Sequence, residues 1–310
     1  MAQAYFEVLA HMEKPVTVIG RSEKSAQQFS TRFGKEVVTG GLRSFLDTNP
    51  HVPAQAIVAV DVNSLADTCE QLIQFGVKRI LLEKPGALTL DRLHTLAEVA
   101  SASDTRVYIA YNRRFFASSL RAQQIIEEDG GVLSFDIELT EWAHKIAPLS
   151  LPENVKQRWI IANTSHVIDL AFFLGGEPES MHCFQCGSLD WHRSAAAITG
   201  AGVTRQGALF SYQGNWRSAG RWGLEISTAM RRLRLTPMET LSQQRVGTVS
   251  WESVDIDNEA DNTFKPGLLA QVAAFLKGDT SLLCNLAEQC QRLRWYEQIG
   301  GYSQTTLGDT

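Results

Sequence analysis

Residues 78–112 read KRILLEKPGALTLDRLHTLAEVASASDTRVYIAYN. Lys78–Leu82 (KRILL) is short and ends in the apolar Ile80–Leu82, Thr89–Ala102 repeats its apolar positions at helical spacing, and Val107–Tyr111 is again short and apolar. Length and periodicity therefore predict strand, helix, strand. Two strands joined through such a helix are parallel, because only a crossover connection returns the chain in the same direction. The alternation extends toward the N-terminus. Pro15–Gly20 (PVTVIG) predicts a strand, Glu23–Phe33 a helix stopped by Gly34, and Leu42–Leu46 a helical turn. Ala56–Asp61 (AIVAVD) is apolar without alternation, as expected of a strand buried on both faces. Asn63–Phe75 carries Leu65, Cys69, Leu72 and Ile73 at helical spacing and stops at Gly76. This order predicts an α/β domain in which helices wrap a parallel sheet.

Beyond residue 116 the pattern changes. A helix over Ala117–Glu128 ends at Gly130–Gly131, and strands are expected at Val132–Glu141, Gly207–Asn215, Trp222–Ser227, Arg231–Leu235 and Val246–Asp255. Helical patterns return at His166–Leu174, Phe264–Leu276 and Leu283–Ile299. Consecutive strands without intervening helices predict a mainly antiparallel sheet. The expected division is residues 1–116 and an α+β domain of residues 117–310, and 310 residues suit two domains.

Hydrophobic residues make up 44% of the chain and charged residues 20%, an ordinary globular composition that excludes disordered and collagen-like chains. With 29 Lys and Arg against 34 Asp and Glu, the net charge of −5 offers no basic excess for a nucleic-acid partner. The longest apolar runs fall far below the ~18 residues of a membrane span. His11, Glu13 and Lys14 interrupt any signal-peptide core, so a cytoplasmic protein is expected. Five cysteines in a chain this long do not suggest a disulfide scaffold. Cys183 and Cys186 fall on opposite faces of an expected strand over Met181–Cys186, and Cys284 and Cys290 do not share a helix face. The cysteines read as small buried hydrophobes, and no cluster has metal-ligand spacing.

Glu83–Lys84–Pro85 directly follows one strand, and Tyr111–Asn112–Arg113–Arg114–Phe115 closes the next. Farther on stand Asn163–Thr164–Ser165–His166–Val167–Ile168–Asp169–Leu170 and Phe173–Leu174–Gly175–Gly176–Glu177–Pro178. This order and spacing resembles the glucose-fructose oxidoreductase / inositol dehydrogenase / MocA family along almost the whole chain. The resemblance implies a nucleotide-binding Rossmann domain followed by a domain with a large open antiparallel sheet. It also implies hydride transfer between a nicotinamide cofactor and a hydroxyl or keto carbon of a sugar, cyclitol or nucleotide-sugar-like substrate. By the same resemblance Lys84 is a catalytic lysine, and Glu83 and Pro85 lie on the nicotinamide side.

The residues themselves are compatible with such chemistry. Lys84 follows a buried strand at its carboxyl end, where ligands bind in open α/β sheets, and a cation there stabilises alkoxide character. His166 opens an apolar helix, with Asn163, Thr164 and Ser165 as competent N-caps before it. A helix N-terminus favours the neutral imidazole, available as proton acceptor. Asp169, one turn on, would orient the ring or favour the helix start. Arg21 and Ser22 follow the strand Pro15–Gly20 where an acidic residue would hold the ribose of NAD. They suit the 2′-phosphate of NADP instead, with NAD as the alternative. Val60, Asp61 and Asn63 are expected to border the cofactor, and Asn112 to contact nicotinamide or substrate. Lys84, Asn112, Asn163 and His166 form the expected substrate set.

Two features depart from the family pattern. Ala162 stands where the family places an aspartate four residues before the histidine. The G-x-G-x-x-G/A loop is also missing: Met1–Leu9 already reads as the helix after it, so a first strand and two glycines are expected to be absent. A catalytically silent sugar- or nucleotide-binding regulatory homologue is therefore the alternative reading. The open face of the antiparallel sheet predicts a homodimer or homotetramer.

Overall fold

The computed structural model describes residues 1–302. It contains a parallel Rossmann-like sheet region and a large, mainly antiparallel sheet. The chain forms two compact units, residues 1–110 with 268–287 and residues 111–267 with 288–302. The first unit thus takes in a late segment that the sequence pattern assigns to the second half. The helix Leu268–Lys277 lies against α1 (Ala2–His11), and the short strand Cys284–Asn285 pairs antiparallel with the outer edge of a parallel sheet.

In the first unit β1 (Val18–Ile19) pairs parallel with β2 (Val37–Val38) across the crossover helix α2 (Glu23–Phe33). The sequence explains both ends of α2. Ser22 accepts a hydrogen bond from the Ser25 amide, and Gly34 closes the helix in the left-handed conformation at φ 63°. Phe6 of α1 packs its ring 5.0 Å from both Phe29 and Phe33 of α2. A second parallel sheet holds β3 (Ala56–Val58), β4 (Arg79–Glu83) and β5 (Arg106–Ala110). The helices Leu65–Gln74 and Leu90–Ala102 make its crossovers, and Thr89 caps the second.

Among the described residues no ladder joins the two parallel sheets: β1 pairs only with β2, and β3 only with β4. In the doubly wound order 3-2-1-4-5-6 these strands take the second to sixth places, and no described strand stands in the first, central place. One expectation is corrected here. The run Ala56–Asp61 is not a strand buried on both faces, since it pairs only over Ala56–Val58 and leaves Val60 39% exposed. Its apolar residues lie on a sheet edge.

In the second unit eight strands are ordered β13-β12-β11-β10-β6-β9-β8-β7, where β6 is Ser134–Glu138, β7 Pro178–Cys186, β8 Ala197–Thr204, β9 Leu209–Asn215, β10 Gly223–Ser227, β11 Arg231–Leu235, β12 Ser242–Arg245 and β13 Glu252–Ser253. All neighbours are antiparallel except β6 and β9. The helix Ser165–Gly175 covers one face, where Phe135 stacks on Phe210 at 5.2 Å and Phe172 meets Phe210 edge-on. The strand expected over Val246–Asp255 is cut back to Glu252–Ser253, because Arg245–Thr248 makes a turn with Gly247 at φ 83°. That short strand pairs with the polar Ser242–Arg245 before the turn. The helix expected from Leu283 begins at Leu286, so Cys284 lies on a strand rather than on one helix with Cys290. The helix expected from Phe264 begins at Leu268.

Candidate functional site

Within the first unit the expected cofactor residues gather at the carboxyl ends of the parallel strands. Arg21, just past β1, donates to the Asp61 carboxylate beyond β3 at 2.6 Å, and Ser64 donates to the same carboxylate at 3.0 Å. Burial works to raise the Asp61 pKa, but the hydrogen bonds from Ser64 and Arg21 and the Arg21 charge outweigh it and hold the carboxyl below its ordinary range. The Ser22 hydroxyl oxygen is engaged as the cap of α2. Val60 and Asn63 lie exposed beside Asp61.

Glu83, Lys84 and Pro85 end β4 with a cis Lys84–Pro85 bond. Glu83 is 8% exposed and accepts a hydrogen bond from the Tyr5 hydroxyl at 2.8 Å. Burial, the Glu83 charge and this bond keep the Tyr5 phenol well above its ordinary range. Lys84 itself is half-buried.

Within the second unit His166 is half-buried, its ring 6.1 Å from Tyr111 and 6.5 Å from Trp222. The capping expectation fails. A single π-turn, Ile160–Thr164, runs directly into the helix Ser165–Gly175, so His166 does not open a fresh helix end. Ser165 donates instead to the Ile161 carbonyl, while Asn163 and Thr164 donate to Glu141 at 3.0 and 2.9 Å. His166 therefore has no free helix N-terminus beside it to favour a neutral imidazole. A π-turn of this kind frequently marks a functional site, and Ala162 is buried within it. Asp169 does not cap the helix start either: its carboxylate receives Arg114 at 2.7 and 2.8 Å and also Arg292. Asn112 is buried and donates its side-chain amide to the Pro266 carbonyl at 2.9 Å, a contact made possible by the close approach of Gly267 at φ 72°.

Three groupings of this unit emerge only in the folded chain. Glu141, 2% exposed, gathers Trp159 at 3.1 Å and Arg221 at 3.0 Å besides Asn163 and Thr164. Arg113 and Arg221 both lie over the Trp222 ring, at 4.9 and 4.5 Å, and Arg221 also lies 5.3 Å from Trp142. His192 is fully buried, with Nδ1 2.8 Å from the Ala195 carbonyl and Nε2 2.8 Å from the Tyr302 hydroxyl. The carbonyl can only accept, so Nδ1 carries the proton and Nε2 accepts from Tyr302. None of these groupings shows a local spacing pattern, because their members come from distant segments.

Among the described residues no group of three or more His, Cys, Asp or Glu side chains is placed to hold a metal ion, and no helix is long and apolar enough to cross a membrane.

No protein-family model matches the chain, and no curated protein matches it. Solved structures match its fold over nearly its full length. A levoglucosan dehydrogenase in complex with NADH is 18% identical with a TM-score of 0.79, covering 98% of this chain and 94% of that one. An oxidoreductase from Agrobacterium radiobacter, in complex with NAD+, L-tartaric acid and magnesium, is 14% identical with a TM-score of 0.79, covering 99% and 94%. A UDP-N-acetylglucosamine 3-dehydrogenase from Acidithiobacillus ferrooxidans is 16% identical with a TM-score of 0.75, covering 96% and 93%. The fold is therefore the two-part architecture of these dehydrogenases.

Proposed function

We propose that the protein is a nicotinamide-dependent oxidoreductase acting on a hydroxyl or keto carbon of a sugar-like substrate. The observation that carries this reading is the likeness of fold to a levoglucosan dehydrogenase and a UDP-N-acetylglucosamine 3-dehydrogenase over 98% and 96% of the chain. The residues fit such a cofactor in kind: Arg21, Ser22 and Asp61 collect donors and an acceptor at the carboxyl ends of parallel strands. In this reading Arg21 and Ser22 hold the adenosine end and favour NADP, while Val60, Asn63, Glu83, Pro85 and Asn112 border the cofactor. The bound nicotinamide supplies the carbon that gives or takes hydride. Lys84 donates to the reacting oxygen and stabilises its alkoxide character, and His166 accepts or returns the hydroxyl proton. Asn163, whose amide is held by Glu141, lines the substrate side.

A screen of sugars, sugar acids and nucleotide sugars with NAD and NADP, followed by nicotinamide absorbance, tests the proposal. Hydride transfer supports it. Buried Ala162 and the separated parallel sheets favour a second reading, a binding protein on the same fold, which cofactor binding without turnover would support. We also propose a homodimer or homotetramer built on the open face of the eight-stranded sheet, where Phe184 and Leu209 stay 65% and 63% exposed. A monomeric scattering mass overturns that assembly.

A further inference from the structure

Adjacent arginines in the second unit have opposite situations. Arg114 is 2% exposed and fully engaged, holding Asp169 and Glu288. Arg113 is largely buried, yet among the described residues it makes no ion pair, and its Nε is sealed from solvent without an acceptor. Its guanidinium rests on aromatic faces, 4.9 Å from the Trp222 ring centre and 5.7 Å from that of Phe116. Burial pushes its pKa down to about 10, with Glu239 and Glu141 acting to raise it and Arg221 to lower it. A buried charge ordinarily has a partner, because an unpaired one forfeits its hydration without compensation.

Neither neighbouring carboxylate answers that need. Glu141 is already committed to Trp159, Asn163, Thr164 and Arg221, and Glu239 is solvent-exposed. The surroundings add further donors. The Trp222 indole N–H is also buried without a partner, and Arg221 lies 4.5 Å from the same ring. Trp142, 45% exposed, extends this wall with an open aromatic face. His166 borders Trp222 at 6.5 Å, so the two guanidiniums and the expected proton-transfer residue share one ring.

We infer that Arg113 and Arg221 form an anchoring subsite for an anionic substituent, a carboxylate or phosphate, on the sugar-like substrate. The inference rests on the dehydrogenase reading and narrows it to acidic sugars. Guanidinium forks match the two oxygens of a carboxylate or phosphate, and the aromatic wall provides a face for the apolar side of a sugar ring.

Equilibrium binding of D-glucuronate, D-glucose 6-phosphate and D-glucose to the full chain tests this directly. At least one anionic sugar should bind about tenfold tighter than glucose, a margin that shrinks as salt rises. Arg113→Gln should erase the margin, Arg113→Lys should keep part of it, and Arg221→Gln should reduce it, each with a retained melting transition. Should Arg113→Gln fail to fold, Arg113→Lys and the salt dependence carry the test. Glucose binding as tightly as both acids overturns the inference, as does a margin that survives Arg113→Gln or no binding of either acid. The readout is binding, so the margin without hydride transfer removes the dehydrogenase reading alone. Hydride transfer to neutral sugars without the margin removes only the anionic subsite.

Discussion

Arg21 and Asp61 form an ion pair at 2.6 Å between the ends of two strands that share no ladder, β1 and β3. Both side chains are largely exposed, at 71% and 52%, so the pair is worth little to stability. Its importance lies in where it is. The group expected to meet a 2′-phosphate already has a carboxylate in hand.

Removing that carboxylate should release Arg21. Asp61→Asn is expected to tighten NADP up to about fivefold, the scale of an exposed pair, with little effect on NAD. Arg21→Ala should weaken NADP selectively. Parallel titrations of the two nucleotides give the answer, and equal shifts for both would disconnect Arg21 from the phosphate.

Lys84→Ala should lower turnover on a confirmed substrate by about a hundredfold or more while nucleotide binding changes far less. Single-turnover hydride transfer measured beside a nucleotide titration separates the two effects. Unchanged turnover would remove Lys84 from the chemistry.

His192 makes stability depend on pH. Burial lowers its pKa, against the smaller opposing effect of its bond to the Ala195 carbonyl, so the folded protein holds the ring neutral. The unfolded chain takes up the proton first as pH falls below about 6.5, so stability is full above that value and declines below it. The melting temperature should therefore drop between about pH 7 and pH 5, and His192→Gln should flatten that slope. A slope unchanged by the substitution would assign it to other groups.

Asp169→Asn tests the buried ion cluster. The carboxylate is inaccessible to solvent and serves both Arg114 and Arg292, which keep the Glu288 and Glu177 carboxylates after the change. Urea unfolding should register a loss of about 3 kcal/mol, near the lower end for breaking a buried pair because those two carboxylates remain. A loss below about 1 kcal/mol would show the cluster to be redundant.

The sequence is most legible where local chemistry decides the outcome. Ser22 and Gly34 delimit α2 without help from the rest of the chain, and the helix Ala117–Glu128 follows its apolar spacing. Reading fails where tertiary pairing decides. Ala197–Thr204 is a full central strand, yet two glycines and scattered small residues hide it; Gly200 and Gly202 are needed because Tyr212 and Phe210 cross directly over them. Val246 and Val249 look like strand residues but stand 72% and 91% exposed. At the candidate site, Lys84 and His166 belong to short recognisable motifs, whereas Glu141 takes meaning only from donors 18 to 80 residues away.

The contribution of Leu268–Ala287 to the first unit has a consequence for biosynthesis. The α1 helix and the outer edge of β5 find their covering helix and strand only in that late segment. A ribosome adding about 5–20 residues per second needs roughly ten to forty seconds to travel from Ala110 to Ala287. Through that interval the emerging first unit carries an open sheet edge and an uncovered helix face. The growing chain therefore waits for its own distal end, and chaperone binding should concentrate in that window.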